Sequence, residues 1–492
     1  MLWIAIYLPE WSLQLANRAR GDAAPCAFAI TDGPASRALV HAPNALAAQA
    51  GIEAGMRVSA AQTLCDDLLL VPRNPDAEAA ALARLATWAG QFTPAVACEP
   101  GQGLLLEVQA SLSLFKGLPK LLNLIRRGLH ELGYHSVLGV APSARGAWLL
   151  AKASLTQTGI RSCTELTELP TRLHSLPLSL FDWPSETQAA LAALAVKTLG
   201  QFRALPRVGA RQRFGAAVLQ QIDQAFGVAS DMRLYHTPPE TFHTQIEFLQ
   251  EVTQVEALLF SIKRLLLELE GFLRARGAGV QEFVLSLEHA SRDKLRTCIC
   301  IGLLAPERDA ARLLALARER LERHPPRTPV LSLRLEAHAP LPYASINQSL
   351  LPDTRNQILD WRQLRERLQA RLGPARLFVL QPGNDHRPEC ATVRANPLEA
   401  KSKTAVQALP HAQPRPLWLL PQPAPLVVVA QQPQYRGALT LRAGPERLET
   451  GWWDGQRVNR DYYIACNSAG ETVWIFHEHQ QPKNWFLHGV FA

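Results

Sequence analysis

Residues 50–72 read AGIEAGMRVSAAQTLCDDLLLVP, and the punctuation in this stretch sets how the first third of the chain is parsed. Gly51 and Gly55 interrupt the backbone between two short helices, and the apolar run at 68–71 is a strand that Pro72 ends. Moving outward toward the N-terminus, LWIAIYL is a buried strand closed by Pro9, and APCAFAI at 24–30 is a second one. Moving outward the other way, Pro75 opens the helix PDAEAAALARLATWAGQF, with acids in its first turn where the macrodipole favours them. ACEPGQGLLLEVQAS at 97–111 is a tight turn feeding a strand, followed by the amphipathic helix LFKGLPKLLNLIRRGLHELG and by strand, turn and helix in SVLGVAPSARGAWLLAKAS. Strands alternating with helices make residues 1–165 an α/β or α+β unit.

Residues 166–231 change character to short helices. A capping box from Ser185 to Gln188 is expected there, with Leu191, Leu194, Phe202 and Leu205 as the apolar stripe. LPRVGARQRFG sets Arg207, Arg211 and Arg213 around Gly209 at a helix start, a place suited to a phosphate and equally to an ordinary helical hairpin with solvated arginines. Residues 237–338 alternate two long helices with strand-like runs, and carry Lys263, Arg264, Arg274, Arg276, Lys294 and Arg296, which are available to track a nucleic-acid backbone and equally suit solvated helix and strand faces. Residues 339–415 are a linker with one docked or partner-binding helix, RNQILDWRQLRERLQARLG, whose Trp361, Leu364, Leu368 and Leu372 form a single face and which Gly373 caps. Residues 416–492 hold Trp418, Trp452, Trp453, Trp474 and Trp485 among strand-like segments, so a small β-rich domain is expected.

With 492 residues, 47% hydrophobic and 19% charged, the chain can fill several cores. A net charge of +8 favours an anionic partner only mildly. The eight cysteines are scattered with no CxxC pair, which argues against structural zinc and disulfides, and Cys298 and Cys300 are expected as small residues on one strand face. MLWIAIYLPEW has neither a basic leader nor a long apolar run, so a cytosolic location and no membrane partner are expected.

In this order the segments resemble the Y-family (DinB/UmuC type) DNA polymerases. The resemblance rests on Gly51, Gly55-Met56 and Cys65 with Leu68 in the opening stretch, on GVAPSARGAWLLAKAS, and on VKTLGQFRALP. It implies an α+β multidomain right hand: palm and fingers over 1–165 with the fingers at about 20–75, a helix-hairpin-helix-like thumb over 166–231, a little finger over 237–338, a clamp-binding linker over 339–415, and a small β-rich, partner-binding C-terminal domain over 416–492. The family clamps two magnesium ions with an acid in the first strand and an Asp-Glu pair before a palm strand. Matched motif to motif, these positions are Ala5, Gln102 and Gly103, and the family's triphosphate-contacting Tyr and Arg fall on Ala45 and Ala48. A methyl group, an amide and a hydrogen cannot hold divalent cations. The implied protein has no metal or cofactor and is not an enzyme; the alternative is an active translesion polymerase that relocates its carboxylates to Glu10, Glu99 and Glu107.

GPERLETGWWDG, RDYYIA, NWFLHGVFA and NDHRPE resemble the polymerase-like branch of bacterial damage-induced mutagenesis cassettes. That resemblance implies a hub in translesion synthesis under the SOS response, associated with the nucleoid on damage. It would bind DNA, the sliding clamp (DNA polymerase III beta subunit), the RecA-like ImuA and the error-prone DnaE-type polymerase ImuC, and could self-associate. NQSLLPD, with Gln348, Ser349, Leu350 and Leu351, is the candidate clamp motif, whereas PLSLFDW at 177–183 is expected as thumb core. Of the aromatics Trp452, Trp453, Tyr462, Tyr463, Trp485 and Phe486, most are expected in a β core and a minority at a partner surface.

Overall fold

A computed structural model describes residues 1–21, 24–34, 37–156, 161–290, 295–343, 354–373, 376–395, 414–479 and 484–491. The chain divides into two compact units, Met1–Arg371 and Leu372–Ala492.

The first unit opens with β1 (Trp3–Tyr7) and α1 (Trp11–Ala19), then β2 (Phe28–Asp32), β3 (Leu39–Pro43), α2 (Ala45–Gln49), α3 (Val58–Leu64) and β4 (Leu69–Pro72). α4 (Pro75–Ala89), β5 (Val96–Glu99), β6 (Gly103–Glu107), α5 (Leu118–Glu131), β7 (Val137–Ala141), α6 (Ala144–Ala153) and β8 (Arg161–Ser162) follow. The palm is a five-stranded sheet ordered β5-β6-β1-β7-β8, and the fingers a three-stranded sheet ordered β3-β2-β4. Alternation along β1 sends Ile4 and Ile6 to the core under α4 and α5, and Trp3 and Ala5 to the core under α6. α6 approaches closely because its small residues meet small residues: a Cβ on Gly139, the register partner of Ala5, would collide with the backbone of Ala147 and Ala151.

The thumb is α7 (Leu169–His174), α8 (Ser185–Ala193), α9 (Leu199–Arg203), α10 (Arg207–Phe214) and α11 (Ala216–Ala225). The capping box lies at Thr198 and Gln201, which start α9, whereas Ser185 makes no cap and Gln188 donates to the Trp183 carbonyl instead. Leu178, Phe181 and Trp183 join the shared palm–thumb core. Beyond α11 the chain runs along the edge of β5, where Tyr235 bridges Ala97 and His236 N–H donates to the Val96 carbonyl at 2.7 Å.

The little finger contains β9 (Phe242–Val252), α12 (Val255–Ala275), β10 (Ala278–His289), β11 (Arg296–Glu307), α13 (Ala310–Arg323), β12 (Val330–Ala337) and β13 (Leu341–Pro342), with a sheet ordered β11-β10-β12-β9 and α12 and α13 in its core. A buried ion pair joins it to the palm: Arg18 on α1 donates to Glu268 on α12 at 2.8 Å, and Glu268 also accepts from Thr244 at 2.7 Å. Arg18 and Glu268 are only 5% and 3% exposed.

α14 (Thr354–Leu372) packs on the little finger, but not by its apolar residues. Glu366 is buried, accepting from Leu304 N–H at 2.8 Å and from Arg312, and Ala370 enters the little-finger core. The charge pair with Arg312 anchors this side of the helix, and Trp361 and Leu364 of the apolar face are exposed.

In the second unit, β14 (Val379–Pro382) and β15 (Thr392–Ala395) form a hairpin, and β16 (Trp418–Val429), β17 (Gln432–Gln434), β18 (Thr440–Thr450), β19 (Val458–Cys466), β20 (Thr472–Glu478) and β21 (Asn484–Val490) form a sheet ordered β17-β16-β21-β20-β19-β18. Both sheet faces carry apolar clusters, one around Leu439, Ile475 and Leu487 and the other around Tyr462, Trp474 and Phe476. Among the described residues no helix is long and apolar enough to cross a membrane.

His488 is fully buried in the second unit, with Tyr462 Oη 2.8 Å from its Nδ1. Arg460 donates to the same Tyr462 oxygen, which directs the tyrosine proton to Nδ1 and leaves the imidazole proton on Nε2. Burial pushes the His488 pKa below the ordinary histidine value. The unfolded chain then binds the extra proton first, so this contribution to stability is present above about pH 6.5 and is lost as the pH falls toward the lowered folded value. Thermal unfolding of the full chain between about pH 8 and pH 5 should show a falling transition that flattens in His488→Gln; equal slopes in both proteins would refute the assignment.

Candidate functional site

The register of β1 and β6 places the positions matched to the family's acids. Tyr7 stands opposite Gly103, and Ala5 stands opposite Leu105, one side-chain repeat further along the strand. Gln102 and Gly103 therefore share their sheet end with Tyr7, and Ala5 is fully buried beneath α6. A Cβ on Gly103 would fall well inside contact distance of the Ile6 carbonyl oxygen and 3.3 Å from Trp148 Cη2. Tyr7 packs edge-on against Trp148, with ring centroids 5.5 Å apart.

Asp182, from the loop that enters the thumb, reaches over this end of the sheet. Lys152 Nζ donates to both its carboxylate oxygens at 3.1 Å, and Gln102 Nε2 donates to it at 3.4 Å. Together with Glu99, Arg145, Trp148, Phe181 and others these residues line a cleft of about 230 Å³. Of the two carboxylates there, Asp182 is paired with Lys152 and Glu99 with Arg233, and the amide of Gln102 and the guanidinium of Arg145 stand beside them. This set does not fit a pair of magnesium ions, which need several convergent anionic oxygens.

The three glutamates considered as replacements do not converge. Glu10 begins α1 in a left-handed conformation, and Glu99 is paired with Arg233, which also holds Asp231 at 2.7 Å. Glu107 lies at the far end of β6, accepting from Gln109 N–H at 3.2 Å. Among the described residues no group of three or more His, Cys, Asp or Glu is placed to hold a metal. Ala45 and Ala48 are exposed on α2, which Asn44 caps by accepting from Ala47 N–H.

The cations proposed for DNA divide between separate places. On the thumb, Arg211 and Arg213 are exposed on α10, while Arg207 makes a two-pronged pair with Asp223 at 3.0 and 2.6 Å. On α12, Arg264 stacks on Phe260 and burial pulls its pKa down to about 10. Arg274 pairs with Glu270, and Arg276 stacks on Phe272 and donates to the Pro239 carbonyl. Lys263 lines a cleft of about 800 Å³ between α5, α12 and α13. α12 covers the core face of the little-finger sheet, so these four cations do not share a surface with Arg296 on the opposite face. That open face carries Glu247, Glu282, Glu288 and Glu336 against Arg296 and Arg334, and Arg296 is paired with Glu288. Among the described residues the cations of this module thus lie on different faces, because period-two alternation puts acids in the outward rows of the sheet. Cys298 and Cys300 are on that face too, both exposed. Lys294 and the motif Gln348, Ser349, Leu350, Leu351 lie outside the described residues.

In the second unit the expected aromatic surface separates into two populations. Trp452 and Trp453 are 70% and 55% exposed, packed edge to face at 4.9 Å. Tyr462 is core, and Tyr463, Trp485 and Phe486 are half-buried against the two sheet-face clusters. The turn carrying the two tryptophans is pinned by Arg387 of NDHRPE, whose side chain bonds Asp385 at 2.6 Å, Asp454 at 2.5 Å and the Gln456 carbonyl at 3.3 Å. These bonds hold the carboxyls of Asp385 and Asp454 below their usual range. Sequence reasoning missed this clasp and Asp182, since both join residues far apart in the chain.

Residues 16–152 match the model of the impB/mucB/samB family. Over 468 residues the chain is 29% identical to Protein ImuB of Caulobacter vibrioides, in strains NA1000 / CB15N and ATCC 19089 / CIP 103742 / CB 15, covering 90% of this chain and 100% of the relative. Solved structures similar to it include DinB from Sulfolobus solfataricus, 15% identical with a TM-score of 0.40 over 70% of this chain and 100% of that one. A post-insertion binary complex of Dbh DNA polymerase is also 15% identical, with a TM-score of 0.41 over 68% of this chain and 98% of that one.

Proposed function

We propose that the chain is a non-catalytic, polymerase-like adaptor in DNA-damage-induced translesion synthesis and mutagenesis. It binds DNA and the sliding clamp and recruits an error-prone DnaE-type polymerase, ImuC, together with the RecA-like ImuA. The observation that carries this reading is the centre itself, where Tyr7, Gln102 and Gly103 occupy the sheet end and Lys152 neutralises the nearby Asp182. Similarity to ImuB along 90% of the chain supports the mutagenesis role. The exposed Trp452 and Trp453, on a turn pinned by Arg387, have the composition of an interface hot spot and are assigned to a cassette partner. The clamp contact is assigned to Gln348, Ser349, Leu350 and Leu351.

Primer extension with magnesium or manganese, run beside a DNA-binding titration on the same preparation, tests the proposal. Binding without extension is expected; metal-dependent extension would establish an active translesion polymerase instead. DNA contact is assigned to α10 of the thumb, where Arg211 and Arg213 are exposed. Replacing both by Ala should weaken binding uniformly across sequences and lower the slope of log K against log salt by about two. An unchanged slope would move the DNA site elsewhere.

A further inference from the structure

The outward face of α14 is built like a docking strip. With Glu366 and Ala370 turned into the little finger, Trp361 and Leu364 are 58% and 45% exposed, and Leu372, on the same stripe, is 43% exposed. Their spacing of three, then eight, residues keeps them on one side of the helix over about 16 Å. Apolar side chains in such a row at the surface of a folded chain mark an interaction site more often than an accident of packing.

The charge around the strip selects the partner. Between residues 361 and 372 the helix carries Arg362, Arg365, Arg367 and Arg371, and its sole acid there, Glu366, is turned inward onto Arg312. Arg367 is paired with Glu319 at 3.6 Å, while Arg362 and Arg371 are exposed, and the helix turns no acid outward between 361 and 372. We propose that this face of α14 docks an acidic amphipathic helix of a partner protein, whose leucine-type side chains cover Trp361 and Leu364 while its carboxylates meet Arg362 and Arg371. Helix pairing of this kind combines an apolar seam with flanking charges that fix partner choice. A nucleic acid would use the arginines but leave Leu364 and Leu372 without a partner, which favours the protein helix.

The test uses the full chain and a fluorescein-labelled three-heptad peptide with leucine at the seam positions and glutamate elsewhere, beside its lysine counterpart. The glutamate peptide should bind, salt-sensitively, and the lysine peptide should not. Trp361→Asp with Leu364→Asp should weaken binding at least about tenfold without changing the melting temperature, since both side chains are exposed. Arg362→Glu with Arg371→Glu should invert the preference toward the lysine peptide. Equal binding of both peptides, or no binding of the acidic one, would overturn the proposal. So would displacement by single-stranded DNA, or a shift from dimer to monomer in Trp361→Asp, which would assign the strip to DNA or to a second copy. The adaptor reading is tested by primer extension and by the variant of Arg211 and Arg213, which the peptide titrations do not read, so the two sets of outcomes are separable.

Discussion

The variant with acids at the three positions matched by motif to the family's carboxylates, Ala5→Asp with Gln102→Asp and Gly103→Glu, is expected to lose its fold rather than gain synthesis. Ala5 has no exposed surface and lies between Leu105 and Gly139 under the alanine face of α6. A carboxylate placed there finds no hydrogen-bond donor, and burying it unpaired costs several kcal/mol even when it protonates. Any side chain on Gly103 drives its Cβ into the Ile6 carbonyl, which adds roughly 1–3 kcal/mol of strain and strand displacement. The two together approach the total stability of an ordinary domain, about 5–15 kcal/mol. Gln102→Asp alone, at a half-exposed turn position, should fold. Circular dichroism melting and limited proteolysis of the single and triple variants read this directly. A folded triple variant that extends primers with magnesium would show that the sheet end retains room for the catalytic metals.

Glu268→Ala should cost the first unit about 3–5 kcal/mol, the range for breaking a buried ion pair on one side. Its removal leaves Arg18 charged at 5% exposure and takes the acceptor from Thr244. The pKa of Glu268 lies below the usual range although burial opposes this, because Arg18, Arg84 and Thr244 all favour its charged form. Burial lowers that of Arg18, so the pair is held by geometry rather than by comfortable solvation. Arg18→Met combined with Glu268→Leu should recover most of the loss, since an apolar pair of similar volume carries no desolvation penalty. Urea denaturation of the two single variants and the double variant measures the coupling, and additive losses would refute it.

Much of the architecture can be read from one sequence because the signals are local. Pro75 before acids marks α4, and Gly51 and Gly55 mark the breaks around α2 and α3. What the sequence hides depends on pairing at a distance. The identity of the residue beside Gly103 follows from the β1–β6 register, and a shift of two places exchanges Ala5 for Tyr7. The apolar face of α14 is legible in its spacing, but that the helix docks through Glu366 is not, because Arg312, distant in sequence, supplies the counter-charge. The cations of α12 were expected on a DNA face, but helix periodicity does not say which side of a sheet the helix will cover. The thumb cap moved from Ser185 to Thr198 because Gln188 finds the Trp183 carbonyl and Gln201 the backbone N–H of Thr198.

The strand-like bond between His236 and Val96 also sets a leash. Between that anchor and the first residue of β9, Phe242, there are six steps of chain, or about 20 Å when fully drawn out. A little finger freed from its ion pair with α1 could thus swing through a space about as wide as a DNA duplex and no further. Inserting residues between His236 and Pro239, whose carbonyl Arg276 bonds, would enlarge that radius while leaving both anchors in place.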